Sequence, residues 1–313
     1  MRKTFYIKVI VLILFSLFLI NVFINEKDIN KIYNSLVYIE CIDDSTISSG
    51  AGFVYKVDDN KNYIVTNYHV IQGYFDIYVY NINKEKVRAN IVNYDENNDI
   101  AVLVINDKLG LNEVSIGNIS NIKKGSKIFV VEPLLNNNNK TIYEGKVLNL
   151  KKSLNIGIDF SAIEILAKTE PGNSGGPLLD KDGKVIGMMF LKDSSKSNIG
   201  FAIPINFVID TVKKIENRPN LGAVMTNTTN VDLIKRYDIE SVYVSGVILL
   251  EMDYKGLLYQ YGLEKGDIIV SVNMIDITNI SEFRGELYKY KKGDIIQLMY
   301  YRDNKYYNIR IEL

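Results

Sequence analysis

Between Val37 and Met189 no hydrophobic pattern is sustained for long: short apolar or alternating runs are cut repeatedly by Asn, Asp, Gly and Lys. The clearest runs are residues 52–57, 77–80, 100–105, 127–131 and 185–190. Many short strands punctuated by turn residues read as an all-β barrel or sandwich. By composition, Asp58-Asp59-Asn60-Lys61-Asn62 is a hairpin loop and Asn136-Asn137-Asn138-Asn139 an exposed loop. The pattern then changes period. Ile205, Val208, Ile209, Val212 and Ile215 recur at helical spacing and give one apolar face. This helix stops before Arg218-Pro219, because the residue ahead of a proline avoids the α region. A second unit follows over 219–313, with strands expected at 246–250, 267–272, 295–301 and 306–313. Its helix is expected over 281–288, with Ser281 as N-cap.

The amino terminus follows a different logic. Residues 5–24 are dominated by Ile, Val, Leu and Phe, and a helix of that length spans ~30 Å, the thickness of a bilayer's hydrocarbon core. Lys8 lies near one end, where its stem can reach the headgroups. No small-residue cleavage pattern follows, which favours an uncleaved, single-pass signal anchor over the alternative, a cleaved signal peptide; either way the rest of the chain is exported. Arg2, Lys3 and Lys8 then stay on the cytoplasmic side and the remainder of the chain is exported. The expected organisation is thus an anchor over 1–25, a β unit over 26–218 and a smaller unit over 219–313 of a 313-residue chain.

Lys+Arg and Asp+Glu are equal at 37 each, which supplies neither a basic field for nucleic acid nor an acidic tail. Cys41 is the only cysteine, so no intrachain disulfide can form. With a single histidine as well, the usual zinc ligands are missing; no metal or cofactor is expected.

That single histidine, His69, is the only imidazole available for acid–base work. Downstream, Ser174 lies in Pro171-Gly172-Asn173-Ser174-Gly175-Gly176-Pro177-Leu178. A serine hydroxyl attacks a carbonyl only when a neighbouring base takes its proton, and a carboxylate must hold that base in the right tautomer. The oxyanion that forms needs backbone N–H groups converging beside the serine, which a glycine-rich turn provides. Asp76, Asp95, Asp99 and Asp107 are the acidic candidates; only Asp99 directly precedes the apolar run 100–105, at the mouth of a buried strand.

Thr66-Asn67-Tyr68-His69-Val70, Asn98-Asp99-Ile100-Ala101-Val102-Leu103 and the octapeptide around Ser174 resemble the three catalytic motifs of the HtrA (Deg-type) serine proteases. Gly50-Ala51-Gly52-Phe53 and Asn198-Ile199-Gly200-Phe201-Ala202-Ile203-Pro204 are similar to further stretches of that family, and the resemblance runs from about residue 32 to the end. It implies a mostly β molecule: a chymotrypsin-like, trypsin-type double β-barrel followed by a small α+β PDZ domain. His69 would be general base, Asp99 its orienting carboxylate and Ser174 the nucleophile, with backbone groups of Gly172, Asn173 and Ser174 forming the oxyanion hole. Ile199 and Gly200 would shape a small apolar specificity pocket.

In the second unit, Gly262-Leu263-Glu264-Lys265-Gly266-Asp267-Ile268-Ile269 resembles a PDZ signature, and Leu221, Gly222 and Ala223 stand where that domain binds a peptide carboxylate. Phe283 and Leu287 would line the opposite side of the groove. The resemblance implies an exported, membrane-anchored endopeptidase that takes misfolded or unassembled envelope proteins and exposed carboxy-terminal peptides, assembled as a homotrimer. A regulatory protease cutting one partner, and a non-catalytic peptide-binding chaperone, are the other readings. Ile165-Leu166-Ala167-Lys168-Thr169-Glu170 and Val131-Glu132-Pro133-Leu134-Leu135 depart from the family's usual Thr-Asp-Ala-Ala-Ile-Asn and Gly-Asn-Pro-Phe-Gly. Both belong to loops that set the active form, so the departure concerns activation and leaves the triad intact.

Overall fold

The computed structural model describes residues 29–42, 47–58, 60–74, 76–106, 109–133, 141–154, 158, 160–192, 198–240, 243–254 and 256–313. The expected anchor over 5–24, the Asn136–139 loop and Asp59 lie outside them. Among the described residues no helix is long and apolar enough to cross a membrane. The chain divides into two compact units between Val212 and Lys213.

The first unit holds two closed six-stranded barrels. Strands β1 (Leu36–Ile42), β2 (Ile47–Asp58), β3 (Lys61–Thr66), β4 (Asp76–Tyr80), β5 (Lys86–Asp95) and β6 (Ile100–Asn106) form the first, in the order β1-β2-β3-β6-β5-β4. It closes where β1 pairs with β4, Ile39 opposite Val79. Strands β7 (Lys127–Glu132), β8 (Thr141–Lys152), β9 (Ala162–Leu166), β10 (Pro177–Asp180), β11 (Val185–Lys192) and β12 (Ile199–Pro204) form the second, closed by β10 on β7. Closure leaves no unpaired strand edge in either barrel. Ile39, Ile64, Ile77 and Leu103 fill the first interior, and Ile128, Val130, Ile163 and Ile165 the second. The short apolar runs seen in the sequence are the inward-facing halves of these strands.

Two details differ from the expectation. The loop expected over 58–62 is tighter: β2 and β3 pair through Asp58 opposite Lys61, and Asn62 is a buried strand residue opposite Val57. In β3 it is paired on both sides, meeting Ile105 of β6 as well, so its polar backbone is satisfied inside the ladder.

A helix at Ile205–Ile215 follows β12, its Ile205, Val208, Val212 and Ile215 buried as the periodicity requires. The second unit is built on a sheet of β13 (Ala223–Asn227), β14 (Val247–Met252), β15 (Ile268–Val272), β17 (Ile295–Arg302) and β18 (Lys305–Glu312) in that order, with β16 (Ile275–Asp276) paired to β15. Val247 and Leu249 enter one apolar cluster with Phe283 and Leu287, while Ile248 and Leu250 enter another with Ile234. Both faces of β14 are therefore covered, which explains its continuous apolar run.

The helix expected at 281–288 runs Ile280–Leu287, and its N-cap is Asn279 rather than Ser281. Asn279 Oδ1 accepts from the Glu282 N–H at 2.9 Å, and the Glu282 carboxylate accepts from the Thr278 N–H and hydroxyl at 2.9 and 2.7 Å. Asn279 is extended, as a cap must be, whereas Ser281 lies inside the first turn.

Candidate active site

The register of β3 on β6 sets up the site. Thr66 pairs with Ala101, so the chain leaving β3 and the chain entering β6 emerge side by side. His69 lies on the short helix Tyr68–Ile71 immediately after β3, and Asp99 immediately before β6. Asp99 Oδ2 is 2.7 Å from His69 Nδ1, and Oδ1 accepts from the His69 backbone N–H at 2.8 Å. An ionised carboxylate only accepts, so Nδ1 is the donor of this bond, which leaves Nε2 as the ring nitrogen that can serve as base. The Asp99 side chain is mostly covered and the His69 ring about half exposed.

Of the rival carboxylates, Asp76 pairs with Arg88 at 3.0 Å and Asp95 accepts from the Asn98 N–H at 3.1 Å. Asp107 lies outside the described residues.

Ser174 lies on the loop between β9 and β10, and this loop is tied to both barrels. The Ala51 N–H of β2 donates to Ser174 O at 2.8 Å; Gly175 and Gly176 bond to Met189 of β11 through Gly175 N–H to Met189 O and Met189 N–H to Gly176 O, both at 2.8 Å. Gly175 has φ +83°, and a Cβ there would stand 2.1 Å from Ala51 O and 2.4 Å from Thr66 Oγ1. Only glycine allows that approach. The close packing seats the serine loop on the segment that leads to His69, since the same Cβ would be 3.1 Å from Asn67 N.

The loop also sorts the expected oxyanion donors. The Asn173 N–H donates to Glu170 O at 3.1 Å, while its side chain accepts from the Glu170 N–H at 2.9 Å and donates to Val131 O at 3.4 Å. Asn173 is thus the loop's internal brace, and its N–H is not available to an oxyanion, contrary to the sequence expectation. Among the described residues, neither the Gly172 nor the Ser174 N–H donates a hydrogen bond within the chain.

Ile199 is half-buried and Gly200 buried on β12. A Cβ at Gly200 would be 2.8 Å from Thr169 Cγ2 and 3.2 Å from Met189 Cε, which brings Thr169 and Met189 to the same place. Neither was singled out from sequence. Thr169 stands five residues before Ser174, a position from which a loop of this length can fold back beside its own serine.

In the second unit the expected groove residues are core residues. Leu221, Ala223, Phe283 and Leu287 belong to one buried cluster, and Phe283 is fully buried. Phe283 and Leu287 of the helix Ile280–Leu287 are turned into this cluster rather than exposed. Gly222, at φ +68°, is half-buried, and its N–H is taken by Asn220 Oδ1 at 3.0 Å. β13 and β18 are the edge strands of this sheet, and β13 is the edge beside Leu221, Gly222 and Ala223. Among the described residues no cluster of three or more His, Cys, Asp or Glu could hold a metal.

Two closed barrels carrying a Ser, a His and an Asp at the ends of their strands define a serine endopeptidase with a trypsin-like fold. The trypsin-like peptidase domain model matches residues 50–188 and the PDZ domain model residues 219–313. The Do-like HtrA serine protease of Lactococcus lactis (strain IL1403) is 30% identical over 279 residues, covering 82% of this chain and 68% of that protein. An HtrA-like serine protease of Staphylococcus aureus (strain MRSA252) is 31% identical over 284 residues, 84% of this chain and 37% of that much longer one. The solved HtrA-type protease AlgW with a tripeptide aligns with a TM-score of 0.56 at 22% identity over 92% of this chain and 96% of that one. The chain belongs to the HtrA family of serine proteases.

Proposed function

We propose that His69, Asp99 and Ser174 act as one catalytic triad that hydrolyses peptide bonds in exported proteins. The two-point grip of the Asp99 carboxylate on the His69 ring and backbone carries this reading. His69 Nε2 takes the Ser174 proton as Oγ bonds to the scissile carbonyl carbon. The oxyanion is received by the Gly172 and Ser174 N–H groups. Collapse breaks the C–N bond, with the imidazolium proton passing to the leaving amine. Water then attacks the Ser174 ester, giving its proton to His69 and restoring the hydroxyl. Ile199, Gly200, Thr169 and Met189 surround the side chain before the cut bond. A fluorophosphonate should label the wild type and fail to label Ser174→Ala or His69→Ala. A folded wild type that resists label overturns the reading.

For the wider role we propose a reading supported by the family likeness and by the amino-terminal sequence. Residues 5–24 anchor the chain in the membrane with the protease outside; misfolded or unassembled polypeptides are its substrates, their carboxy termini adding to β13, and the active form is a homotrimer. Deleting residues 1–25 should release the protein from membrane fractions. Deleting 219–313 separates delivery from restraint: lost processing means the second unit brings substrate, raised basal cleavage means it holds the protease back.

A further inference from the structure

Asn67 stands at the N-cap of the helix that carries His69, yet its side chain caps nothing. An asparagine there ordinarily spends Oδ1 on a helix N–H. Here Nδ2 donates to the backbone carbonyl of Asp99 at 2.9 Å, and Oδ1 is buried with no partner among the described residues. Turning the amide over would set two acceptors face to face, so the assignment is fixed by chemistry.

What the bond holds is a disfavoured backbone. Asp99 has φ +55°, a left-handed conformation that side chains other than glycine rarely adopt, and its own N–H makes only a 3.3 Å contact with Glu96 O. In this conformation both carboxylate oxygens face His69. Asn67 is fully buried, two residues before the base, and clamps the far side of the orienting residue.

We propose that Asn67 is a positioning residue for catalysis: its amide fixes the left-handed turn at Asp99 that aims the carboxylate at His69. A carbonyl left unpartnered in the interior is a stability cost, and retaining it is explained by the one bond the other end of the amide supplies. This rests on the triad reading above, and the test separates the two.

Asn67→Leu keeps the branched heavy-atom skeleton, with bulkier ends, while removing both the bond and the orphaned carbonyl. In the full chain, with labelled casein as substrate, kcat should fall about tenfold or more, the scale of a small misplacement of catalytic groups. KM should stay within about twofold, since ground-state binding is untouched. The Asp99 carbonyl loses its donor, so the thermal midpoint should fall modestly, and the split between kcat and KM distinguishes positioning from simple destabilisation. Asn67→Asp, of the same shape but without the donor, should lose kcat likewise, and serves if the leucine variant does not fold. In an Asp99→Ala background, neither change should cost further activity. Unchanged kcat in a folded variant, or an equal loss with Asp99 already removed, overturns the proposal. Full activity in Asp99→Ala alone would instead overturn the triad.

Discussion

The two units use apolar strands in opposite ways. In the first, every strand is paired on both sides because the sheets close, and the polar chemistry stands in loops at the strand ends. In the second, the sheet stays open with β13 and β18 as edges, and the apolar side chains near the candidate groove are spent on the core. A closed barrel gives its loops a rigid base and has no backbone left to offer a peptide; an open sheet has backbone to offer but must hold its few helices firmly. Catalysis and strand-type recognition therefore make different demands on the same kind of residue.

The largest test of this contrast is removal of the nucleophile. Ser174→Ala should lower casein hydrolysis by about 10⁴-fold or more, and Asp99→Asn by about 10⁴-fold. Amide exchange across residues 219–313 should remain as in the wild type. Residual hydrolysis in Ser174→Ala at wild-type rates would break the comparison, because the chemistry would then lie elsewhere.

Next is the packing of the serine loop. Gly175→Ala sets a methyl against Ala51 O and Thr66 Oγ1 at a positive φ. A shift of backbone is unavoidable, so the first unit should lose about 3 kcal/mol or more along with its activity. Its counterpart in the second unit is Arg302, which pairs with Asp267, donates to Gly262 O at 2.9 Å and reaches Glu264 at 3.2 Å. The Asp267 side chain is buried. Arg302→Ala leaves that charge unpaired and should cost the second unit about 3–5 kcal/mol. Exchange measured peptide by peptide would show each loss confined to its own unit; losses spread evenly over both would contradict independent cores.

Legibility in the sequence follows the same division. The barrels were readable because alternation of apolar and polar residues has one physical meaning in a strand. His69 and Ser174 were readable because a lone imidazole and a glycine-rich serine turn have few structural explanations. The role of Asn173 was not, because which N–H in a turn stays free depends on bonds such as Asn173 to Glu170 that spacing does not specify. Thr169 and Met189 were missed for a related reason: they meet Gly200 only after the barrel closes. Phe283 and Leu287 look alike whether they line a groove or fill a core, and burial alone decides.

The smallest effect concerns the helix Ile280–Leu287, where two neighbouring residues compete for one role. Ser281 and Asn279 are equally good caps by residue type, but Ser281 lies within the first turn, and Asn279 Oδ1 receives the Glu282 N–H. Asn279→Ala should therefore cost about 1 kcal/mol, and Ser281→Ala a few tenths at most. The Glu282 carboxyl is held below its ordinary value by the Thr278 hydroxyl and N–H. An acid lowered in the folded state stabilises above its unfolded pKa and loses that contribution as pH falls through the folded value. The denaturation midpoint of the second unit should then fall on acidification below the usual glutamate range by more in the wild type than in Glu282→Gln. Equal acid sensitivity in the two proteins would mean that the cap is dispensable, and that the sheet alone holds this helix against β13.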